Sequence, residues 1–169
     1  GLPFNLKYHT SNHLLNPTKG YAFIYSVTPY QNLIHKKNFF LKQRASFAFY
    51  LSKKKRDKIV LATRVQLGSI LEPSVYKMPI TKLFLGGSDD ALRGYRYKTV
   101  GPRNKAGKII GGKSFIYFTV EPRLRVTKKI GFVPFFDMGN VRTREFPTLK
   151  KRFRKSLGVG LRYFTFFGP

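Results

Sequence analysis

Hydrophobic and polar positions alternate along most of this chain. Between Asn38 and Ser52, Phe39, Leu41, Ala45, Phe47, Phe49 and Leu51 fall on one face, and Lys42, Arg44, Ser46, Ala48 and Tyr50 on the other. The charged connection Lys53-Lys54-Lys55-Arg56-Asp57 leads into a second run, Lys58 to Ile70. There Ile59, Leu61, Val65 and Leu67 oppose Val60, Ala62, Arg64, Gln66 and Gly68. Successive side chains of a strand point to opposite sides, so these runs predict a hairpin with one apolar face and one face of polar and small residues. Further on, Lys113 to Val126 sets Ile116, Phe118, Val120, Pro122, Leu124 and Val126 against Phe115, Tyr117, Thr119, Glu121, Arg123 and Arg125. Gly131 to Val141 reads as a strand carrying Phe132, Phe136 and Asp137. In Phe153 to Phe167, Leu157, Val159, Leu161 and Tyr163 oppose Gly158, Gly160 and Arg162. Upstream, Leu2 to Thr10 and Tyr21 to Tyr30 are strands separated by the turn Asn16-Pro17-Thr18-Lys19-Gly20. The pattern predicts an all-β, antiparallel chain of about seven strands, with no sustained helical periodicity and no internal repeat.

One stretch breaks the alternation. Residues 71–112 form a long loop rich in Gly, Pro and charge, and at its centre runs Phe84 to Tyr97. Gly86, Gly87 and Gly94 oppose a helix, and paired Asp with Gly opposes a strand. Yet Phe84, Leu85, Leu92, Tyr95 and Tyr97 give it more apolar mass than a solvated loop carries. A long loop that packs its own side chains against something is a candidate functional element.

Several predicted strands run well beyond the usual globular length. A long strand with one apolar face and an opposite face of Arg, Glu, Gln and Gly suits a membrane barrel, whose lipid side is apolar and whose lumen is wet. A soluble sandwich is compatible with the alternation alone; strand length and aromatic content favour the membrane. Composition adds a second theme. Lys and Arg number 33 against seven acidic residues, a net charge of +26, which points to an anionic partner such as a membrane surface or nucleic acid. Aromatics at 16% argue for a folded chain rather than a basic tail. With no cysteine, thiolate chemistry, disulfides and cysteine-based zinc sites are excluded. No apolar run reaches the length of a transmembrane helix, which leaves a barrel open. The N-terminal Gly-Leu-Pro-Phe lacks a signal peptide, as expected of a cytosolic chain or of a processed or excised piece.

Candidate chemistry is sparse. His9 and His13 have the spacing of helical metal ligands, but the segment is not helical and lacks a zinc-protease glutamate. Asp89-Asp90 lacks the spacing of a calcium loop. No Gly-x-Ser-x-Gly elbow or phosphate-cradling Gly-Lys-Ser/Thr loop is present, so no enzyme, metal site or cofactor is expected. The basic clusters Lys53 to Arg56 and Lys150 to Arg154 have the chemistry to contact phosphates of lipid or nucleic acid, but basic turns between strands are more often solvated hairpin ends or guards against edge aggregation.

The motifs narrow the choice. In order they are Asn16-Pro17-Thr18-Lys19-Gly20, Phe84-Leu85-Gly86-Gly87, Leu92-Arg93-Gly94-Tyr95, Gly111-Gly112, Glu121-Pro122-Arg123, Phe136-Asp137-Met138-Gly139, Gly158-Val159-Gly160-Leu161-Arg162-Tyr163 and Gly168-Pro169. This ordered set resembles the C-terminal half of the BamA/TamA superfamily of outer-membrane assembly barrels, and the first turn looks more like the TamA branch. The resemblance implies about seven strands of an expected sixteen-stranded transmembrane β-barrel. It also implies a loop, residues 71–112 with Gly86 and Gly87 at a turn, folded into the lumen. The tip Arg93-Gly94-Tyr95 would be latched there to Glu121 and Asp137 on the inner wall.

By the same resemblance, residues 1–169 are the C-terminal part of an outer-membrane β-barrel domain of the bacterial surface antigen type. The periplasmic repeats, the first barrel strands and the last two strands of such proteins are absent, as expected of a fragment. The implied function is assembly or translocation of outer-membrane proteins through a barrel with a lateral seam, in the bacterial outer membrane. Implied partners are membrane lipids, nascent outer-membrane proteins and a periplasmic or inner-membrane assembly partner, with no nucleic acid and no cofactor. The alternatives are a basic β-rich nucleic-acid-binding protein and, within the family, a two-partner secretion transporter. The net charge exceeds what such a barrel calls for.

Overall fold

A computed structural model describes residues 1–13, 15–31, 39–53, 58–72, 78–88, 91–150 and 152–165. Seven strands, β1 (Phe4–His9), β2 (Gly20–Gln31), β3 (Phe39–Ser52), β4 (Ile59–Leu71), β5 (Ser114–Arg125), β6 (Ile130–Arg142) and β7 (Arg154–Tyr163), form one antiparallel sheet in sequence order. The strands follow the alternating runs within a few residues at each end. The last strand stops at Tyr163, short of Phe167, and residues 166–169, with the Gly168-Pro169 turn, lie outside the described residues. β2 to β6 have 12 to 14 residues each. At about 3.4 Å per residue and a barrel-like tilt, such strands cross a hydrocarbon layer of about 30 Å.

The register sorts the side chains into two faces. One face carries Phe4, Leu6 and Tyr8 of β1, Phe47, Phe49 and Leu51 of β3, Leu61 and Leu67 of β4, and Leu157, Val159, Leu161 and Tyr163 of β7, all exposed. On β7 the exposure reaches 79% at Leu157 and 80% at Leu161. A row of large apolar side chains this open belongs against lipid or a partner, since water disfavours it. The opposite face carries Lys42, Arg44, Arg64, Glu121, Arg123, Asp137 and Arg162.

The long loop covers that polar face, so the core lies between loop and sheet. Leu83, Phe84, Ala91, Leu92 and Val100 from the loop bury themselves against Ile70, Phe115, Tyr117 and Val141 from the strands. Three glycines make room for flat aromatics on the neighbouring strand. Gly68 faces Phe115, Gly139 faces Tyr117 and Gly158 faces Phe135. A β-carbon at Gly68 would lie 2.1 Å from the Phe115 ring, and one at Gly139 2.3 Å from that of Tyr117. Phe115 and Tyr117 thereby stack at 4.6 Å, with the Phe84 edge against Phe115.

The two rims differ. One carries the connections 10–19, 53–58 and 126–129; the other carries 32–38 and the two longest, 72–113 and 143–153. In the first turn Asn12 Oδ1 accepts the backbone N–H of Thr18 and of Lys19, and Gly20 adopts a φ of 97°. In the shortest, Thr127 Oγ1 accepts from Lys129 and Ile130. Gathering the longest loops on one rim is usual in outer-membrane barrels.

Candidate functional site: a loop latch on the inner wall

The long loop is more ordered than its glycines suggest. Phe84 and Gly112 exchange two backbone hydrogen bonds, as do Gly86 and Val100, so the loop brackets itself with isolated β-bridges. The expected poor strand propensity of Gly86 is overridden by this pairing and by the closeness of Tyr117, whose hydroxyl would lie 2.7 Å from any β-carbon at Gly86. Gly87 has a φ of 88° and accepts the N–H of Lys98, which turns the chain at the expected place. Lys113 pairs with Glu145 at 3.3 Å and also donates to the Glu72 carbonyl, fastening the foot of the loop to the 143–153 connection.

At the tip, Leu92 is fully buried with a φ of 56°, and its carbonyl accepts the N–H of Tyr95. A left-handed leucine costs on the order of 1–3 kcal/mol unless its surroundings hold it. Here apolar burial holds it, and the turn it makes aims Arg93 at the sheet.

Arg93 spends its donors on two carboxylates. Its backbone N–H and Nε both donate to Asp137 Oδ2 at 3.0 Å, and Nη2 donates to Oδ1 at 2.8 Å. Nη1 donates to Glu121 Oε1 at 2.7 Å. The guanidinium lies 3.7 Å from the centre of the Phe135 ring, a cation–π contact. Asp137 is 1% exposed and Glu121 6%. Burial alone would lower the Arg93 pKa; the hydrogen bonds and charges of Asp137 and Glu121 outweigh it and hold the guanidinium above its ordinary value. Gly94 follows within close reach of β7, where a β-carbon would come 2.8 Å from that of Ser156. The Tyr95 hydroxyl donates to the Lys155 carbonyl at 3.1 Å.

The structure thus brings Arg93, Glu121 and Asp137 together and sets Gly94 and Tyr95 against β7. Three further residues complete the site. Arg123 holds Glu121 Oε2 through Nε at 3.1 Å and Nη2 at 3.0 Å, and Arg162 approaches the same oxygen at 3.6 Å. Both share the polar face that alternation assigns them, but only the cross-strand register shows that they meet Glu121. Phe135 shares the face of Asp137, a position that parity with Phe132 and Phe136 excludes from the lipid side. Pro122 and Pro134 stand opposite each other in the β5–β6 register, and pairing lapses between Val120↔Phe136 and Leu124↔Phe132. Two facing prolines have no N–H for the ladder, so the sheet is locally loosened beneath the latch. His9 ends β1 and His13 lies in the following turn, both exposed. Asp89 and Asp90 lie outside the described residues, as do Lys54 to Asp57 and Lys151; Lys53, Lys150, Arg152 and Arg154 are exposed.

A meander of long strands, apolar outside and charged inside, with a loop folded back on the charged face, defines a transmembrane β-barrel sheet. The family model for the Omp85 superfamily domain matches residues 1–169, and the chain belongs to that superfamily. Its strands are those of an outer-membrane β-barrel protein. A relative from Nitratidesulfovibrio vulgaris, the outer membrane protein assembly factor BamA, is 31% identical over 108 residues, which are 62% of this chain and 14% of that protein. The crystal structure of BamA from Haemophilus ducreyi lacking POTRA domains 1-3 superposes with a TM-score of 0.79 over 99% of this chain and 36% of that one, at 21% identity. The chain therefore spans well under half the length of either relative. Neither carries the TamA name that the Asn16-Pro17-Thr18 turn suggests.

Proposed function

We propose that this chain is the C-terminal part of the barrel domain of an outer-membrane protein assembly or translocation factor, and that Arg93 is the latch that keeps loop 72–113 inside the lumen. The carrying observation is the Arg93 fork on Asp137 and Glu121, three charged groups from three elements brought to one point on the polar face. The arrangement has no nucleophile and no general base poised for chemistry, and its geometry suits holding rather than turnover. In this reading nascent outer-membrane strands are templated at a lateral seam and the bilayer is locally thinned. The latched loop keeps the lumen wall in register while the seam works. The TamA-like branch, the periplasmic repeats and a periplasmic or inner-membrane partner are further parts of the same reading.

The test replaces Arg93→Ala in the full-length protein reconstituted in liposomes. Insertion of a labelled barrel substrate falls and protease cleavage within 83–112 rises. Unchanged insertion together with unchanged cleavage contradicts the latch.

A further inference from the structure

The long-loop rim holds a second charged site that the latch does not use. A cleft of about 1030 Å³ opens between the loop, at Tyr95 and Pro102, and the rim ends of β6 and β7. Arg142, Arg152, Arg154 and Lys155 line it, and no carboxylate does. Arg93, Lys113, Arg123 and Arg162 are engaged in ion pairs elsewhere; none of the cleft's four cations forms one among the described residues. The acidic residue of the adjoining connection, Glu145, is turned away to Lys113. Asn140 lines the cleft at 3% exposure, and neither its Oδ1 nor its Nδ2 has a hydrogen-bond partner; Arg142 Nε is buried without one as well. Arg142 is held in place by its Nη2, which donates to the Arg152 carbonyl at 3.0 Å. Four cations and unsatisfied donors gathered in one cleft ask for an oxyanion with several acceptor oxygens, and arginine forks match phosphate best.

Position identifies the source. Arg142 and Lys155 stand on the outward face, because Asn140 and Met138 precede Arg142 on that side of β6 and Lys155 pairs with Met138. Directly along β7 from Lys155 come Leu157, Val159 and Leu161, 79%, 67% and 80% exposed. Tyr163 ends the same row at the opposite rim. Lys155 to Tyr163 covers about 26 Å of strand, about 20 Å of height at a barrel tilt of about 40°, most of an outer-membrane apolar band of about 25 Å. Arg142 and Lys155 therefore cap the acyl-facing stripe at headgroup level, where basic pockets recognise lipid phosphates, and Arg154, opposite Gly139 on the inner face, reaches the cleft from the lumen side.

We infer that this cleft seats the phosphate of a lipid headgroup in the leaflet at the long-loop rim. Because Tyr95 lines the cleft and bonds to Lys155, a seated phosphate braces the loop tip as well. The inference rests on the membrane placement of the strands and not on the assembly function.

The test titrates detergent-solubilised full-length protein with lipid A and counts bound lipid by native mass spectrometry. Parallel arms use dephosphorylated lipid A and millimolar inorganic phosphate. The phosphorylated lipid binds in preference, and the triple variant Arg152→Ala, Arg154→Ala, Lys155→Ala weakens it roughly 100-fold, at about fivefold per cation. Removing Lys53, Lys58 and Lys128 at the opposite rim leaves the affinity within about twofold, as expected if charge acts locally. A charge-keeping triple (Arg152→Lys, Arg154→Lys, Lys155→Arg) holds binding within about tenfold. Equal binding of the dephosphorylated lipid overturns the inference. So does equal loss from the opposite-rim variant, a loss in the charge-keeping triple as large as in the alanine triple, or inorganic phosphate binding as tightly as the lipid. Assembly is not the readout, so either reading can fail without the other.

Discussion

Replacing Asp137 by Asn isolates the charge at the centre of the latch. The side chain keeps its volume, but one of its two acceptors becomes an NH2 group facing an Arg93 donor. Asp137 receives three N–H donors from Arg93, at 3.0, 3.0 and 2.8 Å. A hydrogen bond to a charged group contributes about 1.5–3 kcal/mol, and breaking one side of a buried pair costs about 3–5 kcal/mol. Arg93 keeps Glu121 and its side chain is 21% exposed, so the lower end, about 3 kcal/mol, applies. That cost falls on loop opening rather than on the sheet, since the seven strands pair with one another without the loop. Opening of 83–112 should rise roughly 100-fold, read as hydrogen exchange of the Phe84, Gly86 and Val100 amides or as native-state proteolysis of the full-length protein in nanodiscs. Adding Arg93→Ala to Asp137→Asn should then cost far less than the sum of the two single changes. Full additivity, or exchange of those amides at the wild-type rate in Asp137→Asn, refutes the latch.

Two further changes probe other links. Val159→Arg places a charge midway along the exposed apolar row of β7 and should destabilise the membrane-embedded barrel by about 2–4 kcal/mol in urea unfolding, while Ser46→Arg on the inner face should cost under half of that. At Leu92, held at a φ of 56°, the usual preference for Ala over Gly should reverse: Leu92→Gly sheds the backbone strain and should open the loop less than Leu92→Ala, by about 1 kcal/mol in the same exchange assay.

The strands and their faces were legible because a period of two is a local property. Phe39 to Leu51 announces its lipid face residue by residue, and Glu121 falls on the inner wall by parity alone. Local pattern made the loop legible only as an anomaly; its fold onto the inner wall and the pairing of Arg93 with Glu121 and Asp137 came from the family resemblance. The loop's order comes from contacts distant in sequence, such as Phe84 with Gly112 and the burial of Leu92 in one cluster with Tyr117, which no local propensity encodes. Arg123 and Arg162 were visible as polar-face residues but not as partners of Glu121, because their meeting depends on register summed across β5 to β7. Phe135 carried no signal beyond its parity with Asp137. The surplus of positive charge, unexplained by a barrel as such, now has places. Lys42 and Arg44 lie over the Phe84 ring at 4.6 and 5.2 Å, Arg123 and Arg162 surround Glu121, and Arg142, Arg152, Arg154 and Lys155 gather at the rim cleft.

The most direct test of a loop held on the inner wall is a cross-link at its tip. A β-carbon at Gly94 would lie 2.8 Å from that of Ser156, close enough for a disulfide after a small relaxation. In full-length, membrane-embedded protein with any other cysteines removed, Gly94→Cys with Ser156→Cys should oxidise nearly completely, and Gly94→Cys with Leu157→Cys, one residue on and facing lipid, should not. Efficient coupling to Leu157→Cys, or none to Ser156→Cys, would mean that the loop tip does not rest on the lumen side of β7.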